Sequence, residues 1–338
     1  MLAGRMASVK ANAIISKIGR GGRENTGRMK IGLIDVDGHH FPNLALMRIS
    51  AYHKAHGDEV EWWWSDIFHY DIVYMSKIFS DAYSPDVPEP MNADKVIKGG
   101  TGYCITIRED GKEHFDQSKN HSLPEEVEKM FPDYSIYPQF NFAVAMTSRG
   151  CPRGCSFCHV AAKEGRCSVK VADVKDFWNG QPHIEVLDPN ITACREKRDL
   201  FAQYRETNAT INFNQGLDIR LINEADIEDL NNMKIKRLHF AWDNPKDDLE
   251  GKFRQFSDQF RIKDRRRKTV YCLTNFNSTM EENLYRIYTL KDLGYDPYVM
   301  IYDKPHAPRE IRLLQRWCNN KFILQSCPRF EDFDPRKA

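Results

Sequence analysis

Apolar positions along the chain follow two alternating periodicities. IGLIDVD (31–37) is a short run rich in Ile and Val, the pattern of a strand buried on both faces of a parallel sheet. Gly38 and Pro42 follow, then NLALMRISAYHKAHG, whose apolar spacing suits an amphipathic helix closed by Gly57. VEWWW (60–64), YDIVYMSKIF (70–79) and a shorter strand in DKVIKGGTGY, ending at Gly99 and Gly100, complete a series that implies a helix-covered parallel sheet. Residues 105–140 lose this periodicity, carry Pro124, Pro132 and Pro138, and read as a linker with one short helix. A second series then predicts strands at FAVAMTS (142–148), HIEVLD (183–188), TINFNQGLDIR (210–220), RLHFAWD (237–243), TVYCLTNF (269–276) and DPYVMIYD (296–303). Helical patterns such as NEADIEDLNNM and MEENLYRIYTLKDLG lie between them. Six strands and five crossovers fall short of the eight of a closed TIM-type barrel, so the expected fold is α/β, a parallel sheet followed by a partial (βα)6 barrel.

The resulting domain reading is a basic extension at 1–29, a first domain at 30–104, the linker at 105–140, the barrel at 141–320 and a tail at 321–338. Six basic residues against the single acid Glu24 mark positions 1–28. That stretch is expected to be a disordered extension ahead of the fold, a transit peptide being the other reading. Over all 338 residues, 41% are hydrophobic and 29% charged, and the net charge is +1. This is the profile of a globular chain with no electrostatic footprint for nucleic acid or membrane. The one dense basic run of the folded part, Arg265, Arg266, Arg267 and Lys268 after Arg261 and Lys263, reads as a solvated helix end, and nucleic acid is not expected as a partner. No apolar run approaches the ~18 residues of a membrane span. Trp62, Trp63 and Trp64 read as core and sheet edge rather than as a stacking platform for a base. Nine cysteines in a chain this long are too few for a disulfide scaffold, and three of them are clustered, so a reducing, cytoplasmic compartment is expected.

Those three carry the chemistry. TSRGCPRGCSFCHV places Cys151, Cys155 and Cys158 as CxxxCxxC directly after a predicted strand. Three thiolates on one loop can each take one iron of a cubane cluster and leave the fourth iron open. Gly150, Pro152 and Gly154 suit a loop folded tightly around such a group. Zinc is the alternative occupant and would need a fourth ligand, for which His159, adjacent to Cys158, is poorly placed.

This loop, after the first barrel strand, resembles the signature of the radical S-adenosylmethionine (SAM) superfamily. The preceding domain resembles the Rossmann-like, cobalamin-binding-type domain that many members carry. The resemblance runs from Lys30 to about residue 320. It implies a [4Fe–4S] cluster on Cys151, Cys155 and Cys158 that holds SAM at the open iron. It further implies one-electron cleavage to methionine and a 5′-deoxyadenosyl radical that abstracts hydrogen from a substrate, with an electron donor such as flavodoxin or ferredoxin as partner. Phe157 then stands at the aromatic position beside the adenine. Where relatives carry a Gly-Gly-Glu-like motif for the methionyl ammonium, this chain reads LDPNIT, offering Asp188 and Asn190. Gln215, Asp218 and Arg220 follow the third strand, with Arg220 suited to the SAM carboxylate, and Asp243 ends the fourth strand, facing the ribose. An Asp218–Arg220 internal ion pair and an Asp243 helix cap are the structural alternatives.

Against the DxHxxG motif of cobalamin domains, DGHHFP matches at Asp37 and His39 and has Pro42 in place of glycine, while Gly99 and Gly100 resemble the paired glycines beside the nucleotide tail. Because the motif is incomplete, cobalamin is possible but not expected as a cofactor. Cys104, Cys167, Cys194, Cys272, Cys318 and Cys327 form no CxxC pair, so a second cluster is not expected. A cobalamin-dependent radical methyltransferase is the alternative enzyme, and a non-catalytic iron–sulfur or zinc sensor or scaffold the alternative of another class.

Overall fold

The structure, a computed structural model, describes residues 27–109 and 113–336, so most of the basic N-terminal extension lies outside the described residues. The chain divides into two compact units, Met1–Asn141 and Phe142–Ala338.

In the first unit β1 (Lys30–Asp35), β2 (Glu59–Trp62), β3 (Tyr70–Ser76) and β4 (Ala93–Gly99) form one parallel sheet in the order β2-β1-β3-β4. Helix α1 (Leu44–Ala55) makes the first crossover. Asn43 caps it, accepting from the Leu46 amide at 3.2 Å and donating to the Ser76 hydroxyl at 2.8 Å, so one side chain ties the helix start to the end of β3. Leu46 and Ile49 of α1 pack on Ile31, Leu33, Ile72 and Tyr74. The β2–β3 and β3–β4 connections are loops, and they expose apolar side chains such as Trp64, Ile67 and Met91. Within the tryptophan run, Trp62 donates its indole N–H to the Ile136 carbonyl at 3.0 Å and packs on Tyr137, whereas Trp64 is 76% exposed. The stretch read from the sequence as a linker holds the antiparallel pair β5 (Ile105–Ile107) and β6 (Glu113–Phe115) and the short helix α2 (Glu125–Glu128). It also supplies buried Val127 to the core of this unit.

The second unit is built on six parallel strands in sequential order: β7 (Phe142–Ala145), β10 (His183–Val186), β11 (Thr210–Phe213), β12 (Lys234–Ala241), β13 (Lys268–Thr274) and β14 (Asp296–Ile301). β7 and β14 are its two edges. A short antiparallel pair, β8 (Ser148–Arg149) and β9 (Val169–Lys170), flanks the loop that contains helix α3 (Val160–Glu164). Crossovers run through α4 (Lys197–Glu206), α5 (Glu224–Asn231), α6 (Glu250–Gln259) and α7 (Met280–Asp292). Alternate strand residues, among them Ile184, Val186, Ile211, Phe213, Leu238, Phe240, Val270, Cys272 and Val299, are buried, each worth about 1.5–3 kcal/mol for a full-sized apolar side chain. Phe253 and Phe256 of α6 meet Phe240 edge-on. After β14, α8 (Arg309–Asn319) buries Ile311, Leu314, Trp317 and Cys318 along one stripe. Residues 321–336, read from the sequence as a tail, begin with α9 (Lys321–Ser326) and pack Leu324, Phe330 and Phe333 against Trp317 and its neighbours. Crossovers of this handed α/β type gather the loops that follow the strands at one end of the sheet, which is where parallel α/β folds place ligands.

Candidate active site

The polypeptide leaves the sheet abruptly after β7. Thr147 and Ser148 are captured by Asp188, which stands just beyond the end of β10. Its Oδ1 accepts from the Thr147 amide at 2.8 Å; its Oδ2 accepts from the Ser148 amide at 2.6 Å and from both hydroxyls at 2.7 Å. All three residues are buried, and burial pushes the Asp188 carboxyl up to about 6 against donors that favour its charged form. The cysteine loop starts at this anchor. Gly150 has φ +92°, and a Cβ there would lie 2.0 Å from the Cys167 carbonyl oxygen, so only glycine lets the two sides of the loop close. The Cys151 amide donates to the Gly165 carbonyl at 3.0 Å, and the Cys158 amide to the Cys155 carbonyl at 3.0 Å. Gly154, φ +56°, lies under the Arg166 guanidinium.

Cys151, Cys155 and Cys158 are thereby brought within electrostatic reach of one another. Burial, then the Cys158, Asp243 and Cys151 charges, push the Cys155 thiol up, with Arg220 opposing. Cys158 is exposed over the residue as a whole; desolvation around its sulfur nevertheless leads the rise of its pKa, against a hydrogen bond from the Val160 amide. Among the described residues, no three His, Cys, Asp or Glu side chains are gathered closely enough to chelate a single ion. The chemistry of the donors, three soft thiolates on one loop, is that of a set in which each sulfur takes one iron of a cubane.

The loops after β10, β11 and β12 supply a polar frame. Asn190 Nδ2 lies 3.5 Å from Cys151 Sγ. Asn190 Oδ1 accepts from the Thr192 hydroxyl at 2.7 Å, and Thr192 Oγ1 accepts from the Asp218 amide at 3.0 Å. The Asp218 carboxylate pairs with Arg220 (2.6 Å) and with Arg153 of the cysteine loop (3.2 Å), and Arg220 reaches on to Asp247 (2.8 Å). The internal Asp218–Arg220 pair weighed in the sequence is therefore formed. Asp243 stands two residues past β12; burial pushes its carboxyl up to about 6, with the charge of Arg286 opposing. Arg286, fully buried on α7, donates to the carbonyls of Trp242, Asp243 and Leu273 and to Asn283 Oδ1, lashing together the ends of β12 and β13. The Phe157 ring meets Phe276 edge-on at 5.5 Å, and Phe276 meets Tyr302 at 4.9 Å. Gln215 is exposed in the turn beside Gly216 (φ +90°).

Sequence reasoning thus named Asn190, Asp218, Arg220 and Asp243 around the cysteines, and the structure brings these together. Asp188 is turned to Thr147 and Ser148, and Gln215 lies apart from these contacts. Thr192, Arg153, Asp247, Phe276 and Arg286 went unnamed. Arg286 lies far along the chain on a helix and carries no local motif, whereas Arg153, inside the cysteine loop, could have been found as a charge needing a carboxylate.

In the first unit, DGHHFP lies at the end of β1. Asp37 accepts from the amides of Ile78 (2.5 Å) and Phe79 (3.2 Å), and His39 packs edge-on against Trp62. Lys77, just past β3, is 1% exposed and pairs with Asp81. A Cβ on Gly100 (φ +102°) would meet the Lys77 carbonyl oxygen at 2.3 Å, and one on Gly102 the Phe79 carbonyl oxygen at 2.2 Å, whereas Gly99 has open space beside it.

No protein-family model matches the chain, and no curated protein matches it by sequence. Its fold, two α/β units with parallel sheets, is similar to that of solved radical SAM enzymes. One is TsrM, a radical S-adenosylmethionine methyltransferase from Kitasatospora setae, with cobalamin and a [4Fe–4S] cluster bound (TM-score 0.58, 11% identity, 81% of this chain and 72% of that chain covered). Another is the same enzyme with tryptophan substrate and the SAM analogue aza-SAM (TM-score 0.57, 10% identity, the same coverage). At such identities the likeness is one of fold alone, and it agrees with the fold that the sequence resemblance implied. Among the described residues no helix is long and apolar enough to cross a membrane.

Proposed function

We propose that the chain is a radical SAM enzyme whose second unit is a partial (βα)6 barrel, with Cys151, Cys155 and Cys158 ligating a [4Fe–4S] cluster at the C-terminal ends of its strands. The observation that carries this reading is the convergence of the three thiols on one glycine-pinned loop, framed by the loops after β10, β11 and β12. When bound, such a cluster supplies one electron to SAM. The chain's own residues do the rest of the work assigned here. Asp188 sets where the cysteine loop leaves the sheet, Asp218 holds Arg153 of that loop, and Arg220, half satisfied by Asp218 and Asp247, keeps donors for a carboxylate. Phe157 and Phe276 form an apolar wall suited to a flat ring, and the mouth of the barrel shields reactive species from water.

The test is anaerobic. Protein reconstituted with iron and sulfide is given SAM and a low-potential reductant, and 5′-deoxyadenosine is assayed beside the Cys151→Ala, Cys155→Ala and Cys158→Ala variants. Cluster-dependent 5′-deoxyadenosine is expected; zinc in place of iron, or SAM binding indifferent to loss of the cysteines, overturns the reading.

A cobalamin-dependent methyltransferase is the second reading, favoured by the cobalamin bound in TsrM; the disfavour shown to cobalamin on the motif alone has no support in that neighbour. In this chain the ends of β1 and β3, where such a sheet receives a ligand, carry buried Lys77, Asn43 and Asp37 already bound to two amides. The donors present do not form an open cradle, so no step is routed through a corrinoid. Copurification of corrinoid, or hydroxocobalamin binding lost in His39→Ala, decides for this reading.

A further inference from the structure

We infer that Asn190 tunes the reduction potential of the metal centre by donating a hydrogen bond to the sulfur of Cys151. The inference rests on the cluster assignment above and adds to it a residue that acts through a ligand rather than as one.

The direction of the Asn190 amide is fixed by its neighbours. Asn190 is 5% exposed. Its side-chain oxygen accepts from the Ala193 backbone amide at 3.2 Å, and a backbone amide is only ever a donor. The same oxygen accepts from the Thr192 hydroxyl at 2.7 Å. That hydroxyl can give its proton to Asn190 while its oxygen accepts from the Asp218 amide at 3.0 Å. Flipping the amide would set its NH2 against the Ala193 N–H, which can only donate, so the NH2 faces Cys151 Sγ at 3.5 Å. The backbone is held as well, since the Ser168 hydroxyl donates to the Asn190 carbonyl at 2.8 Å. A donor locked in this way cannot swing to water when the charge on the sulfur changes.

Reduction adds one electron to a cluster, and part of that charge falls on its sulfurs. A fixed N–H aimed at a ligand sulfur stabilises the reduced form more than the oxidised form, so it raises the potential. Thr192 and the Asp218 amide are positioning groups in this scheme. They hold the Asn190 oxygen so that its nitrogen is presented to Cys151.

The test is a potentiometric titration of the reconstituted cluster followed by electron paramagnetic resonance, with iron and sulfide content measured on the same samples. Asn190→Asp keeps the acceptor for Thr192 and Ala193 and replaces the donor by a carboxylate oxygen. At a fixed potential its ratio of reduced to oxidised cluster is expected to fall about tenfold, equivalent to a lowering of about 59 mV for a one-electron couple. Thr192→Val removes one of the two hydrogen bonds on the Asn190 oxygen, loosening the amide, and is expected to shift the ratio in the same direction by less. Unchanged potentials in variants with full iron content overturn the inference. So does loss of the cluster in both variants, since Asn190 would then serve assembly. If only one variant assembles, its potential decides. A wild-type protein that assembles no cluster, or a cluster that survives the three cysteine substitutions, instead fails the cluster assignment itself.

Discussion

Asp188→Asn is the sharpest probe of how the cysteine loop is launched. The side chain is 2% exposed and accepts four hydrogen bonds, two from hydroxyls and two from the amides of Thr147 and Ser148. Hydroxyls can rotate to become acceptors, but amides cannot. The amides bind different oxygens of the carboxylate, so whichever oxygen becomes NH2, one buried amide faces a donor. An orphaned buried amide costs about 1–3 kcal/mol. For a unit the size of Phe142–Ala338 each kcal/mol moves the melting midpoint by about 2–4 °C, so the variant should melt roughly 2–12 °C lower. Asp188→Ala orphans both amides and should cost about twice as much. The measurement is thermal unfolding of the metal-free protein by circular dichroism at pH 7.5, above the value of about 6 to which burial lifts this carboxyl. An Asp188→Asn protein that melts within about 1 °C of wild type would refute the account of Asp188 as an acceptor hub.

Further outcomes follow from the same contacts. Each of Cys151→Ala, Cys155→Ala and Cys158→Ala should abolish the reconstituted cluster by absorbance and iron analysis, while Cys272→Ala, at a position buried on β13, should retain it. Gly150→Ala must place a Cβ 2.0 Å from the Cys167 carbonyl oxygen at φ +92°, so it should cost more than the about 1–3 kcal/mol of ordinary overpacking and lower iron content with it. Arg286→Met leaves the carbonyls of Trp242, Asp243 and Leu273 without their donor and should destabilise by about 3–5 kcal/mol in urea titrations. In the first unit, Asp35 is lifted from 3.8 to about 6, chiefly by burial, with the Tyr137 hydroxyl opposing. An acid with a raised folded pKa binds protons more tightly folded than unfolded, so its contribution to stability is present at low pH and lost as pH rises from about 4 to about 6. Relative to wild type, Asp35→Asn should therefore gain up to about 3 kcal/mol across that window, read from urea midpoints at pH 4 and 7.

The sheets were legible in the sequence because strands buried on both faces write themselves as apolar runs: the run at 31–37 became Lys30–Asp35, and FAVAMTS became β7. Where strands end was less legible, since the residues that stop them act from elsewhere in the chain. FAVAMTS stops at Ala145 because Asp188, some forty residues later, captures Thr147 and Ser148. TINFNQGLDIR stops at Phe213 because Gly216 turns with φ +90° and Asp218 caps a short turn by accepting from the Arg220 amide. Such endings are tertiary hydrogen bonds, and no local propensity encodes them. The cysteines were visible for the opposite reason, because three ligands within eight residues are a local pattern. The frame around them is not local. Asn190, Asp218 and Asp243 were found by asking which polar side chains stand just past strand ends, whereas Arg286 joins through a helix and left no such trace.

The two units answer the same topological question differently. A parallel sheet gathers its loops where its strands end, and something polar must occupy that place. In the second unit the occupants are sulfurs and a chain of fixed donors and acceptors, running from Cys151 through Asn190, Thr192 and Asp218 to Arg220 and Asp247. Groups in such a chain have no free rotation left, so they present a rigid field to whatever the cysteines hold, and this is the condition for electrostatic preorganisation. In the first unit the occupant is the chain itself. Lys77 is buried and paired with Asp81, and Asp37 is spent on two amides. Burying an ammonium is costly unless it is paired, and Lys77 is satisfied by Asp81, so a ligand drawn to these strand ends would compete with that pair. Corrinoid binding to this unit would accordingly strengthen in Lys77→Ser, whereas a unit that serves only as scaffold would show no binding with either residue and no change in cluster-dependent 5′-deoxyadenosine.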